Sequence, residues 1–207
     1  TTPNSVAQQG IRITKNSFYD NKGISIDRVT GGNGEADEVS DNDGILDAAS
    51  TSPNRGIDYP VFTLATLNGS VLTVEGYIGT TATKLSGVYT IEIYKADNDS
   101  DNDGLVEVGG SISVAHGEGR NLIGTISTNS NGFFATDITL SGAVPLAFND
   151  RITAIAISSV NNTSEFSGNQ RVVPTGVGIS GFVYHDTNHN TVKDASESGL
   201  ENVTMVL

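Results

Sequence analysis

Between Pro60 and about Gln170 the apolar residues of this chain return at every second position, and no stretch repeats them at the helical interval. Val61–Leu67, Val71–Gly79, Val88–Lys95, Phe133–Leu140 and Ile152–Ser158 all follow the pattern, as in Thr90-Ile91-Glu92-Ile93 and around Ile155 and Ile157. A period of two sends successive side chains to opposite faces of a strand. Gly, Asn and Ser separate the runs and supply turns. Short alternating strands at this spacing predict an all-β fold, an immunoglobulin-like β-sandwich over residues 59–170. At 207 residues the chain can bury a real core and still carry further segments.

Upstream, Ile11-Arg12-Ile13, Asn16-Ser17-Phe18, Asn21, Gly23 and Ile24-Ser25-Ile26 alternate apolar residues with Asn and Gly turns. This predicts a β-helix-like coil or donor strand over residues 1–28. One coil cannot bury its own face. It must cap a longer solenoid, pair with another subunit, or lie on the domain that follows; the plain alternative is an edge strand of that domain. The run NSFYDNKGISID, beginning at Asn16, resembles the last coil of bacterial right-handed β-helix surface proteins. From Gly56 onward, the pieces GIDYPVF, YTIEIYKAD, TNSNGFFATDITL, ITAIAIS and NNTSEFS resemble, in that order, a bacterial extracellular module that often follows such a β-helix.

Eleven basic residues face 24 acidic ones, a net charge of −13. Fifteen of the acids fall in Glu35–Asp47, Asp97–Glu107 and Asp186–Glu201, where the only base is Lys193. Each cluster is either a solvated acidic loop or a divalent-cation site, and regular oxygen spacing favours the cation. Asp186, Asn188, Asn190, Asp194 and Glu197 occupy positions 1, 3, 5, 9 and 12 of a twelve-residue calcium loop, with the Val192 carbonyl at position 7. Asp99, Asp101, Asp103 and Glu107 fill positions 1, 3, 5 and 9 of a second, with Leu105 at position 7, Gly104 at the tight turn, and Gly110 where the bidentate Glu belongs. In the acidic loop 29–58, Asp41, Asp43, Ile45 and Asp47 fill positions 3, 5, 7 and 9. There Val39 stands at position 1, Ser50 at position 12, and Asp37 or Glu38 would substitute from outside the pattern. Hard oxygen ligands favour Ca2+ over Mg2+, which keeps more of its water.

Residues 171–178, with Pro174 and two glycines, read as a linker. Residues 179–207 read as a strand, the complete calcium loop and a second strand. Gly181, Val183, Asp186, Asn188, Asn190, Asp194, Glu197 and Gly199 match a pattern that resembles the B-type repeats of bacterial serine-aspartate-repeat adhesins, relatives of the collagen-adhesin B domains. The resemblance implies a partial calcium-binding repeat. Thr191 stands where those repeats usually carry Gly, and a β-branched residue resists a left-handed turn.

Other chemistry reads poorly. Cysteine is absent, which removes disulfides and thiolate catalysis, so a secreted chain needs other staples, of which a metal is one. A nucleic-acid partner is disfavoured because no basic patch exists to release its counterions. Nothing reads as a signal peptide or as an apolar span of about 20 residues, so no membrane insertion is expected. His185 and His189 are four apart but lie in an Asx-rich loop rather than on a helix, which argues against zinc. Gly176-Val177-Gly178-Ile179-Ser180-Gly181 spells a dinucleotide motif but precedes a strand. His116-Gly117-Glu118-Gly119-Arg120 reads as a flexible, surface hairpin tip. The expected function is therefore a non-catalytic, calcium-stabilised structural segment of a secreted bacterial or archaeal surface protein or extracellular filament. Its partners would be calcium, neighbouring domains or other copies of itself, by β-strand addition. The alternative is an adhesin or carbohydrate-binding module attached to a β-helix protein or polysaccharide lyase.

Overall fold

The alternation of the central stretch becomes two four-stranded sheets. The computed structural model describes residues 7–21, 24–28, 39–96, 115–176, 183–200 and 203. Its strands are β1 (Pro60–Asn68), β2 (Val71–Ile78), β3 (Thr90–Ala96), β4 (Gly119–Ser127), β5 (Phe133–Thr139), β6 (Arg151–Ile157), β7 (Gln170–Arg171) and β8 (Val173–Pro174). One sheet runs β5-β2-β1-β8 and the other β4-β3-β6-β7. All pairings are antiparallel except β1 with β8. No helix among the described residues is long and apolar enough to cross a membrane.

Ala65, Leu67, Leu72, Val74, Ile78 and Phe134 of the first sheet meet Ile91, Ile93, Ile152, Ala154 and Ala156 of the second in one buried cluster. This is the core of an all-β sandwich, as the two-residue period requires. Within β2, Gly76 is chosen for space rather than for backbone freedom. A Cβ there would lie 2.2 Å from the Val61 carbonyl and 2.4 Å from Phe134 Cζ. Phe134 stands edge-on to Phe62, with centroids 5.7 Å apart.

Strands β3 and β6 of the second sheet are buried on both faces. On its far side Tyr94, Ile155, Ile157 and Phe166 form a further cluster with Ile26, and Ile13, Phe18 and Leu122 pack against it. Phe166 packs in T-shaped contacts with Phe18 and Tyr94, centroids 5.4 and 5.7 Å apart. The cover is the N-terminal segment. Its described residues form no strand; they lie on the following domain. Positive φ at Lys15 (54°) and Asp20 (56°) breaks the extended run that a ladder needs.

The path of this strap is set by hydrogen bonds. Gly10 N–H donates to Asn162 Oδ1 and Ile13 N–H to Thr163 Oγ1, both at 2.8 Å, beyond the end of β6. Lys15 N–H then reaches Glu92 on β3, and Phe18 N–H reaches the Gly119 carbonyl on β4 at 3.0 Å. Asn21 N–H donates to Glu118, and Arg28 N–H returns to Glu165. Asn54 pins the upstream part: Ile11 N–H donates to its Oδ1, while its Nδ2 donates to the carbonyls of Ile11 and Thr163.

Three sequence expectations need correction. His116 and Glu118 are buried, and β4 begins at Gly119, so this is no surface hairpin tip. The solvated-loop reading of residues 39–58 fails at Val39, Asn54, Ile57 and Asp58, which are buried, while Asp41, Asp43 and Ile45 stay exposed. The start of the expected linker belongs to the sandwich: β7 and β8 flank Val172, which is fully buried in the inter-sheet core.

Contacts divide the chain into Thr1–Thr175 and Gly176–Leu207. In the second unit Tyr184 bridges Gly199 antiparallel and Leu200 N–H donates to the Val183 carbonyl at 2.7 Å, closing a hairpin around residues 186–197.

Gly76→Ala should cost roughly 1–3 kcal/mol, because backbone and Phe134 must both move to admit a methyl group. Denaturant unfolding checks this; an unchanged midpoint would mean that the aromatic pair yields freely.

Candidate metal centre

The hairpin loop of the second unit gathers most of its predicted ligands by folding its own backbone around them. The two oxygens of Asp186 accept the N–H groups of Asn190 (3.2 Å) and Thr191 (2.8 Å). Asn188 Oδ1 accepts Asn190 N–H at 3.1 Å, and Asn190 Oδ1 accepts Val192 N–H at 2.8 Å. These are local side-chain turns of the kind Asp and Asn favour. The amide groups of Asn188 and Asn190 both donate to Asp194 Oδ2, at 2.7 and 2.9 Å. The side chains at positions 3 and 5 therefore meet at Asp194, position 9, while Asp186, position 1, is linked to them through the Asn190 main-chain N–H.

Glu197 is the buried member, 5% exposed. Its oxygens accept Thr187 N–H at 2.9 Å and Asp194 N–H at 3.0 Å, tying the two ends of the loop together. Lys193 Nζ donates to the Glu197 carbonyl at 2.9 Å. Val192 is exposed. Burial, followed by the charges of Asp186, Glu197 and Asp194, pushes the Tyr184 hydroxyl above its ordinary pKa. The three carboxylates thus share one neighbourhood, but among the described residues no three His, Cys, Asp or Glu side chains close into a metal-binding group. The chemistry that fits is three carboxylates, Asp186, Asp194 and Glu197, and two amides with a carbonyl, an all-oxygen set suited to a hard cation once the amides turn their oxygens inward. His185 and His189 are both exposed.

Thr191 carries a backbone φ of 66°. A β-branched residue is strained there. The bonds from its N–H to Asp186 and from its Oγ1 to the Asn190 carbonyl at 2.6 Å hold it in place.

The first acidic loop has the spacing without the assembly. Asp41 is exposed. Asp43 Oδ1 accepts Ile45 N–H at 2.8 Å, and Ile45 itself is exposed. Asp47 turns away to accept the Ser52 hydroxyl. Val39, at the first ligand position, is a buried apolar anchor beside Ile24 and Tyr59. Asn42 docks the loop on the sandwich, accepting Tyr59 N–H and donating to the carbonyls of Tyr59 and Gly79. Gly44, at φ 81°, fits where a Cβ would lie 2.5 Å from the Thr83 carbonyl. Asp99, Asp101, Asp103, Leu105 and Glu107 of the second acidic loop lie outside the described residues.

The carboxylates that organise the larger unit are others. Asp58 is 1% exposed and accepts the N–H groups of Asp43 and Gly44. Burial pushes its carboxyl up to about 6, with Asp43 adding to the rise, against those two N–H bonds and the Arg28 charge. Glu165 accepts Arg28 N–H, Ser40 N–H and the Ser40 hydroxyl; burial raises its pKa too. Glu92 accepts Lys15 N–H, the Thr14 hydroxyl and the Tyr94 hydroxyl. Glu118 accepts Asn21 N–H and the Ser25 hydroxyl. His116 is buried beside them, its Nδ1 2.8 Å from the Phe166 carbonyl and its ring edge-on to Tyr59 at 4.8 Å. Burial lowers its pKa. In the sequence Asp58, Glu92 and Glu165 fall in or beside strand-like runs and Glu118 in an expected hairpin tip, and nothing there marks a carboxylate as buried.

No family model matches the chain, and no solved structure matches it.

The Asp58 carboxyl rises from 3.8 to about 6 on folding, so the native state holds that proton more tightly than the unfolded chain. Its contribution is complete below about pH 4 and is lost as pH climbs through about 6. His116 acts in the opposite sense, losing stability as pH falls below its ordinary range. Asp58→Asn should reduce the downward slope of stability between about pH 4 and 6, leaving the part that the raised Glu165 carboxyl contributes; chemical denaturation at several pH values reads it, and an unaltered slope would contradict the assignment. Thr191→Gly should relieve about 1 kcal/mol of backbone strain and slow amide exchange across residues 186–197; faster exchange would show that the threonine bonds outweigh the strain.

Proposed function

We propose that the chain is a non-catalytic, calcium-stabilised structural segment of a secreted bacterial or archaeal surface protein or extracellular filament. The observation that carries this reading is the linked set of Asp186, Asn188, Asn190 and Asp194, drawn together by their own backbone and closed by buried Glu197. Asp186, Asn188, Asn190 and Asp194 would hold the ion with the Val192 carbonyl, and Glu197 would fix the loop ends and complete the set. The ion supplies attraction between carboxylates that otherwise repel, so its role is rigidity. Extracellular modules of this kind bind at about 10⁻⁴–10⁻³ M, where ambient calcium acts by mass action.

The buried carboxylates of the sandwich support the non-catalytic part. Asp58, Glu92, Glu118 and Glu165 each accept backbone N–H groups from the segment that covers them. Their chemistry is used in holding the chain together. The adhesin or carbohydrate-binding alternative draws on Phe133, exposed beside Tyr77 at 6.2 Å. Lys84 Nζ, however, sits 4.1 Å from the Tyr77 centroid and covers one face of that ring.

Calcium titration with amide exchange as the readout tests the proposal. At a calcium concentration ten times Kd, residues 186–197 should gain about 1.4 kcal/mol of protection, and Asp194→Ala should abolish the gain. No change in exchange at 10 mM calcium would sink the reading, and chelation should increase protease cutting within this loop.

A further inference from the structure

We propose that the described residues 14–21 and 24–28 act as a releasable strap, which lifts from the sandwich as one unit below the free energy of global unfolding. Its attachment differs from that of every strand in the sandwich. The N–H groups of Lys15, Asn21 and Arg28 go to the side-chain carboxylates of Glu92, Glu118 and Glu165 rather than to a neighbouring backbone. Among the described residues, Phe18 N–H to Gly119 is the one backbone–backbone bond that this stretch makes to the sandwich. Two of the carboxylates each bind separated points of chain, Glu118 at Asn21 and Ser25, and Glu165 at Arg28 and Ser40. Phe18 and Ile26 enter the same apolar cluster through Phe166, the residue after Glu165. These shared anchors couple one end of the strap to the other.

Release is favoured by what the carboxylates regain. Glu92, Glu118 and Glu165 are buried beneath the strap, and opening lets water take the place of the N–H groups of Lys15, Asn21 and Arg28 on their oxygens. The sheet beneath loses none of its own bonding. The ladders β3–β4 and β3–β6 and the inter-sheet core are independent of the strap. What resists opening is the apolar face of Tyr94, Leu122, Ile155, Ile157 and Phe166, which would meet solvent. Upstream, Asn54, Asn162 and Thr163 hold residues 10–13 by neutral groups, so the strap swings from a fixed point. Local opening of units less stable than the whole is a general property of folded chains.

Residue-resolved amide exchange on the full chain tests this. The amides of Lys15, Asn21 and Arg28 should share one protection factor, at least roughly tenfold below that of the β3 and β6 strand amides. Glu165→Gln should speed exchange at all three by a common factor, including Lys15 and Asn21, which Glu165 does not touch, and leave β3 and β6 unchanged. A merely local role would move Arg28 and Ser40 alone, and that result overturns the proposal, as does protection of the three amides equal to that of the core. Should the variant fail to fold, the wild-type chain in sub-denaturing urea decides. A common slope smaller than that of the core amides supports the unit, and three different slopes refute it.

Discussion

A buried carboxylate can only accept, so each one fixes in place whatever donors are brought to it. Asp58, Glu92, Glu118 and Glu165 sit on or beside the strands of the sandwich, and the donors are main-chain N–H groups from residues 15–44. Each clamp takes the place of a missing ladder. An irregular segment with positive φ at two residues cannot join a sheet, yet its N–H groups must find partners once it covers an apolar face. Charged acceptors make shorter and stronger bonds than neutral ones, which suits a segment with few contacts per residue. The rest of the larger unit follows: strands β3 and β6 buried on both sides, a first acidic loop folded down by Asp58, and Arg28 placed among the acids.

The strands were legible because their period is local. Ile91, Ile93, Ile155 and Ile157 alternate in the sequence and alternate in space. β4 was not legible. Its apolar residues Leu122, Ile123 and Ile126 break step, and the pairing with β3 shifts register between Ile93 and Tyr94 and again between Lys95 and Ala96. A bulge adds a residue to one strand and erases the period that betrays it. Glu92 illustrates a second limit. In an alternating strand it occupies the outward position, which reads as solvent; here a segment more than seventy residues upstream covers it. Local period cannot report what lands on the outer face.

The acidic loops separate spacing from assembly. Asp41, Asp43 and Asp47 satisfy a ligand pattern in sequence, but Asp43 caps the next turn and Asp47 turns to Ser52, while Asp58, outside the pattern, takes the N–H groups of Asp43 and Gly44. Arg28 supplies positive charge near Asp58 and Glu165, the role assigned in the sequence to a cation. In the loop from Asp186 to Glu197 hydrogen bonds link the ligand positions, yet the described carboxylates do not close into a metal-binding group, and Thr191 holds a left-handed backbone despite its side chain.

The passage from β7 to β8 takes a single residue. Gln170 and Arg171 pair with β6 in one sheet, Val173 and Pro174 pair with β1 in the other, and Val172 between them is sealed in the core. Thr175 N–H is then bonded to the Leu67 carbonyl before the chain leaves the sandwich. Tension applied through the chain beyond Thr175 therefore enters both sheets at one stitch, through β8 on β1 and β7 on β6. A tether fixed in this way makes the two sheets bear a load as one body.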